Sequence, residues 1–254
     1  NKCLAFSYEE AFAPYASNGN TIRKKGTDNL LKIRSTQQEL KNIESVIPGK
    51  FYYGNQSAEK NFTKNAQHFN ILHLALHGEV NDQQPKYSKL KFSSKRDSIN
   101  DNVLHAYELY NTNLNADLAV LSACNTGDGK IEKGEAIMSL GRAFYYAGCK
   151  SMVLSRWELS DKVSAVIMKS FYQNLAKGLN KSESLRNAKL TYLQNADNPS
   201  SNPYYWSSTY PLGNDQPIFR TQSISRIQYL LIALGVIFLI ILFLTIRKNK
   251  KSPA

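Results

Sequence analysis

Residues 69–76 read FNILHLAL, and residues 116–123 read ADLAVLSA. Continuous apolar runs of this length are typical of strands that are buried on both faces, as the inner strands of a parallel sheet are. A third run of the same kind, SMVLS, follows at residues 151–155. These three stretches predict the centre of a parallel β-sheet.

Helical patterns separate the predicted strands. The sequence predicts helices at residues 30–47, 57–65, 103–110, 134–147, from Asp161 onward, and at 182–193. Weaker strand signals occur at residues 4–6, 51–53, 89–92 and 203–212. Because strands and helices alternate along the chain, the predicted fold class is α/β, with a mostly parallel sheet flanked by helices.

The composition limits the classes of function. The chain has 254 residues, a net charge of +12 and three cysteines, at Cys3, Cys124 and Cys149. Three cysteines at such wide spacings form neither a disulfide framework nor a zinc cluster. The positive charges are scattered over loops, and the sequence has no RNA-recognition or zinc-finger signature. We therefore expect no nucleic-acid partner.

A long apolar stretch lies near the C-terminus. Residues 229–246 read YLLIALGVIFLIILFLTI, without a charged residue, and in helical form they would extend about 27 Å. The stretch predicts one transmembrane helix after a domain at residues 1–220 and a linker at 221–228. The basic tail at 247–254 favours a cytoplasmic C-terminus with the domain on the opposite face, although basic residues before the stretch leave the sidedness open. The predicted location is a single-pass membrane protein with lipid as a partner.

Two chemically useful side chains follow the strongest predicted strands. His77 and Gly78 come directly after the first strand, and Cys124 comes directly after the second. Parallel sheets place their sites at the carboxyl ends of the strands, so if these two strands are neighbours, an imidazole and a thiol would meet at one edge. Such a pair supports nucleophilic catalysis, and the backbone amides of Gly78 and Cys124 could form an oxyanion hole.

The spacing alone leaves a second interpretation open. Free cysteines are commonly buried, so Cys124 could be a small core residue and His77 a loop histidine. His73 precedes His77 by four residues, but on a strand this spacing separates the rings by about 13 Å, too far for one metal ion. We expect a structural His73, no metal and no cofactor.

Several motifs together resemble one family. The segments ILHLALHGEV, DLAVLSACNTGDGK, KGEAIMSLGRAFYYAGCKSMVLSRWELSDK and NPYYWSSTYPLGN occur in order and resemble the CHAT domain, a caspase-like peptidase domain often found after TPR repeats in bacteria. The resemblance implies a caspase-like fold and a catalytic dyad of His77 and Cys124. The chain begins with Asn1, so we expect it to be part of a longer protein that carries such repeats.

The favoured hypothesis is a membrane-anchored cysteine endopeptidase that acts on a protein or peptide substrate and is regulated by N-terminal TPR repeats. The alternative is a non-catalytic signalling or scaffold module of the same fold at the membrane. Asp128, Glu158 and Asp161 follow the carboxyl ends of predicted strands. They could form an acidic pocket that selects Lys or Arg at the cleaved bond, although Asp161 also suits a helix cap.

Overall fold

The computed structural model describes residues 2–8, 36–81, 83–93, 101–122, 134–157, 160–219 and 234–235, with backbone only for residues 134–139 and 161. The chain divides into two compact units, Asn1–Phe219 and Arg220–Ala254. The first unit contains all the helices and strands that are defined below.

Nine strands occur in the described part of the chain. They are β1 Cys3–Ser7, β2 Gly49–Tyr52, β3 Ile71–Ala75, β4 His77–Glu79, β5 Lys89–Lys91, β6 Val103–His105, β7 Leu118–Leu121, β8 Ser151–Ser155 and β9 Thr209–Gly213. Six of them form one sheet in the order β2-β1-β3-β7-β8-β9. All neighbours in this sheet are parallel except β9, which runs antiparallel to β8 as an edge strand. The prediction of a mostly parallel sheet is confirmed.

Helices cover both faces of the main sheet. They are α1 at residues 36–44, α2 Glu59–Asn65, α3 Ala106–Leu109, α4 Gly134–Tyr146, α5 Asp161–Ala176 and α6 Lys181–Asn195. Side chains alternate along β1, so that Leu4 and Phe6 pack into the core with α2, α3 and α4. Cys3 and Ala5 pack into a second core with α1, α5 and α6. This alternation is what a strand with two buried faces requires.

An aromatic cluster fixes the first core. The Phe6 ring stacks on Tyr52 with 5.0 Å between centroids, and it meets Phe62 and Phe92 edge-on at 6.0 Å and 5.3 Å. The cluster joins β1 to β2, to α2 and to the residue that follows β5. Replacing a buried phenylalanine of this kind by alanine typically costs about 3–5 kcal/mol.

The helix predicted at residues 103–110 is partly wrong. Val103, Leu104 and His105 form β6, and only Ala106–Leu109 is helical. Asn102 has a positive φ of 59°, which turns the chain into β6, and β6 then pairs antiparallel with β5. With β4 these strands form a second sheet in the order β4-β5-β6, which the sequence pattern does not reveal.

The predicted transmembrane helix is not supported. Within the described ranges, no helix is long and apolar enough to cross a membrane. A span needs about 20 residues in one apolar helix, whereas the longest described helix, α5, has 16 residues and packs on the main sheet. Of residues 229–246, only Leu234 and Gly235 are described. The finding overturns the predicted helix at 229–246 and the predicted single-pass membrane location.

Candidate active site

His77 lies at the carboxyl edge of the main sheet. β3 ends at Ala75, Leu76 is fully buried, and β4 begins at His77, which is half-buried. β4 belongs to the small sheet, where His77 pairs with Lys91 of β5. The backbone of His77 is therefore held by a second layer of strand pairing directly after it leaves β3. This rigid position suits a side chain that acts on a bound molecule.

Tyr8 holds the ring of His77. The two rings meet edge-on with 4.2 Å between centroids. Tyr8 itself follows β1, where its backbone N–H donates to the carbonyl of Ala75 at 2.7 Å. The Thr36 hydroxyl donates to the Tyr8 carbonyl at 3.0 Å. These contacts fix the tyrosine ring and limit the orientations that the imidazole can take.

Glu79 links two strands of the small sheet. It ends β4 and forms ion pairs with Lys89, at 2.8 Å, and with Lys91 on β5. These exposed pairs join the two strands across the ladder. Gly78, between Glu79 and His77, is buried and lies opposite Leu90.

Cys124 lies outside the described residues, as do Asp128 and Glu158. β7, the strand that leads toward Cys124, is β3's neighbour, and it ends at Leu121 before the buried Ser122. Asp161 is the first residue of α5, but its side chain is not described. The dyad, the oxyanion hole and the acidic pocket therefore stay predictions.

Serine hydroxyls mark the carboxyl ends of three strands of the main sheet. Ser7, Ser122 and Ser155 end or follow β1, β7 and β8, and each is at most 5% exposed. Within the described ranges their hydroxyls have no hydrogen-bond partner. Such buried polar groups are costly unless something at the site uses them. These serines and Tyr8 were not singled out from the sequence, although Ser7 and Ser155 directly follow apolar residues of β1 and β8.

The other histidines and cysteines have structural surroundings. His73 is fully buried, with its Nδ1 3.0 Å from the Tyr172 hydroxyl and its Nε2 2.8 Å from Glu39 Oε1. Burial raises the pKa of the Cys149 thiol to about 12 and raises that of the Cys3 thiol further. Neither thiol would be ionised at neutral pH. In the part of the chain that is described, no group of histidine, cysteine or acidic residues could hold a metal ion.

Comparison with known proteins identifies the fold. The crystal structure of the Arg specific cysteine proteinase gingipain R superposes with a TM-score of 0.54 at 11% identity, covering 87% of this chain and 48% of that chain. The shared architecture confirms the predicted caspase-like arrangement of a mostly parallel sheet and flanking helices. It establishes the fold alone.

Sequence comparison identifies the family. Tetratricopeptide repeat protein 28 of Mus musculus is 28% identical over 113 residues, which are 44% of this chain but only 4% of the mouse protein. The chain thus spans a small fraction of that relative. The sequence profile of the CHAT domain matches residues 16–214, most of the first compact unit. The chain belongs to the CHAT domain family.

Proposed function

We propose that this chain is a cysteine endopeptidase in which His77 and Cys124 form the catalytic dyad. The observation that carries the proposal is the register of the main sheet. Leu74 of β3 pairs with Leu121 of β7, and these strands are parallel. His77 lies three residues after Leu74, and Cys124 lies three residues after Leu121. Because the two residues follow paired positions of neighbouring parallel strands by equal numbers of residues, a close approach of their side chains is favoured.

The chemistry follows from these two groups. The Cys124 thiolate attacks the carbonyl carbon of a peptide bond, while the backbone N–H groups of Gly78 and Cys124 donate to the oxyanion. The carbon–nitrogen bond breaks, His77 gives a proton to the leaving amine, and a thioester remains. His77 then takes a proton from water, which attacks the thioester and releases the acid product and the free thiol.

The choice of substrate forms a finer part of the proposal. Carboxylates at Asp128, Glu158 and Asp161 would pair with a Lys or Arg side chain next to the cleaved bond. If this pocket selects the substrate, Asp128→Asn should lower kcat/KM for basic peptides by about tenfold or more, with little change for neutral ones.

Regulation forms another part of the proposal. TPR repeats, which the mouse relative carries by name, would act as a regulatory partner of the domain.

Thiol labelling tests the dyad directly. Cys3 and Cys149 are at most 1% exposed, and burial raises the pKa of both thiols. At pH 7 iodoacetamide should therefore modify one thiol of the folded chain, Cys124. His77→Ala should slow that reaction about tenfold or more, since a nearby histidine favours the thiolate. His68→Ala, at an exposed histidine, is the matched control and should leave the rate unchanged.

Peptide cleavage tests the activity. The full chain should cleave members of a peptide library, and Cys124→Ala should abolish cleavage while Cys149→Ala retains it. Cleavage that survives in Cys124→Ala would refute the proposed nucleophile. A Cys124 that reacts no faster than a free thiol, in a chain that cleaves nothing, would favour the non-catalytic scaffold function.

A further inference from the structure

A pocket of about 510 Å³ opens between the end of β8, the start of β9 and α6. Arg156 and Trp157, directly after β8, form one wall. Arg186 and Lys189 on α6 and Trp206 before β9 form the others. None of these residues has a part in the proposed dyad or in the proposed acidic pocket.

The described charged groups of the pocket are cationic. Among the described residues that line it are Arg156, Arg186 and Lys189, and none of these described residues is acidic. Across the described ranges, neither arginine pairs with a carboxylate. Lys189 donates to the carbonyl of Thr209 at 2.5 Å and to that of Ser207 at 3.4 Å. Burial lowers the pKa of Lys189 to about 8, because it disfavours the charged ammonium. An anion bound nearby would stabilise that charge.

A hydroxyl of the pocket also lacks a partner. Thr209 lines the pocket and is 1% exposed, and its Oγ1 has no hydrogen-bond partner among the described residues. The Arg156 guanidinium lies over the Tyr210 ring at 5.2 Å, and no described carboxylate pairs with it or with Arg186. A ligand with acceptor oxygens would give this hydroxyl and these cations a partner.

The aromatic walls are held rigidly. The Trp157 indole N–H donates to the Tyr204 carbonyl at 2.8 Å, and its ring stacks on the Tyr204 ring at 6.0 Å. The Trp206 indole N–H donates to the Ser201 carbonyl at 2.9 Å. Both indole N–H groups are used within the protein, so the rings offer apolar faces rather than donors to a ligand.

We propose that this pocket binds a peptide segment in which a carboxylate side chain stands next to an aliphatic one. Arg156 and Arg186 would take the carboxylate, since guanidinium groups recognise it in a fork. Leu185 and Leu193, with the tryptophan faces, would take the aliphatic side chain. A single-stranded nucleic acid fits less well, because it needs a long groove that follows several phosphates, whereas this is one compact pocket. The proposal does not depend on the peptidase activity.

Tryptophan fluorescence gives a direct readout. The chain contains two tryptophans, and both line the pocket. The full chain with Cys124→Ala, which excludes cleavage, is titrated with the peptide Gly-Leu-Glu-Glu-Leu-Gly and with its partner Gly-Leu-Gln-Gln-Leu-Gly. We expect a saturable change in emission with the first peptide, a Kd at least tenfold lower than with the second, and weaker binding as salt increases.

Substitutions of Arg186 on α6 and of Arg142 on α4 test whether the peptide binds in the pocket. Arg186→Glu should weaken binding of the acidic peptide at least tenfold, and Arg156→Gln should weaken it in the same direction. Arg142→Glu replaces another exposed arginine, on α4 and away from the pocket, and should leave the Kd unchanged. Near-ultraviolet circular dichroism checks that the variants fold.

Three results would overturn the proposal. They are equal affinity for the two peptides, no saturable change in emission up to millimolar peptide, and equal weakening by Arg142→Glu and Arg186→Glu. An oligothymidylate of six nucleotides that binds tighter than the acidic peptide would replace the proposed ligand with a nucleic acid.

Discussion

His73 illustrates, at the scale of single residues, how a side chain suited to catalysis can serve the core. Its two ring nitrogens contact Tyr172 and Glu39, and the Tyr172 hydroxyl also bonds to the Cys3 thiol. The network joins β3 to α1, α5 and β1. The network is buried too deeply to contact a substrate. Its polar groups form hydrogen bonds with one another, in a region where an unpaired polar atom would destabilise the fold.

Removing His73 should therefore affect stability strongly. His73→Leu leaves Glu39 and Tyr172 without their partner, so we expect the free energy of unfolding to fall by about 2–4 kcal/mol. Urea denaturation measures the change. His68→Leu, at an exposed histidine, should stay within about 0.5 kcal/mol. A loss below about 1 kcal/mol for His73→Leu would show that the network is not needed.

Glu59 should make stability depend on pH. Burial and then the carboxylates of Glu108 and Asp101 raise its pKa from 4.5 to about 7. Because the folded state disfavours the charged form, this contribution to stability is complete below about pH 4.5 and is lost as the pH rises through 7. Its half-exposed position screens the effect, so we expect about 1 kcal/mol.

The variant Glu59→Gln tests this sign. It keeps an acceptor oxygen for the Val103 N–H, which Glu59 now binds at 3.2 Å, but it cannot ionise. Urea denaturation at pH 5 and pH 8 should show the variant gaining about 1 kcal/mol over the parent at the higher pH. Asp101→Asn in the parent should move the transition to lower pH. A difference between variant and parent that is equal at both pH values would contradict the assignment.

Among the secondary-structure elements, α4 is followed by a turn that requires a glycine, Gly148. Gly148 has φ of +104°, and its N–H donates to the Tyr145 carbonyl at 3.0 Å. A Cβ at this position would overlap the carbonyl oxygen of Leu114. Gly148→Ala should therefore cost about 2–4 kcal/mol, through backbone strain and this overlap together.

Gly141 provides the control on the same helix. A Cβ there would lie 3.1 Å from Cδ1 of Leu154, the end of a flexible side chain, and alanine favours the helix by about 1 kcal/mol. Gly141→Ala should change the free energy of unfolding by about 1 kcal/mol or less. Thermal denaturation of Gly148→Ala and Gly141→Ala compares the two losses of stability. Equal losses would mean that the turn after α4 places no special demand on Gly148.

The sequence predicts elements well where a local pattern determines them. The strand predicted at residues 151–155 coincides with β8, and the run at residues 69–76 contains β3, because burial on both faces leaves a continuous apolar signal. β4, β5 and β6 have three residues each. Such short strands exist through their pairing with one another, which a local pattern does not record.

At the scale of the whole molecule, the surroundings of the candidate site depend on contacts between distant parts of the chain. His77 could be proposed as a site residue from the sequence because it directly follows a strong predicted strand. Tyr8 could not be assigned to it, since only the pairing of β1 with β3 brings the two rings together. The cationic pocket likewise combines β8 with α6 and β9, so no single stretch of sequence displays its charge or its tryptophans.

The segment after β9 shows how the first compact unit is completed. The buried Lys181 donates from Nζ to the carbonyls of Asn214 and Gln216, at 2.8 and 2.7 Å. The Asp215 carboxylate accepts from the Ser182 N–H at 2.7 Å, and Ile218 is 8% exposed in the second core. These contacts hold the start of α6 through residues that lie beyond the last strand.

Two shortened chains should therefore differ in stability. A chain that ends after Phe219 keeps these contacts, whereas one that ends after Gly213 leaves the buried Lys181 ammonium without its acceptors. We expect a difference of roughly 3 kcal/mol, or about 6–12 °C in Tm for a unit of this size. Differential scanning calorimetry of both chains measures it. Lys181→Met should reduce the difference in Tm between the two shortened chains, because it removes the ammonium group whose acceptors are lost. Equal melting temperatures for the two shortened chains would show that the segment contributes nothing to the stability of the core.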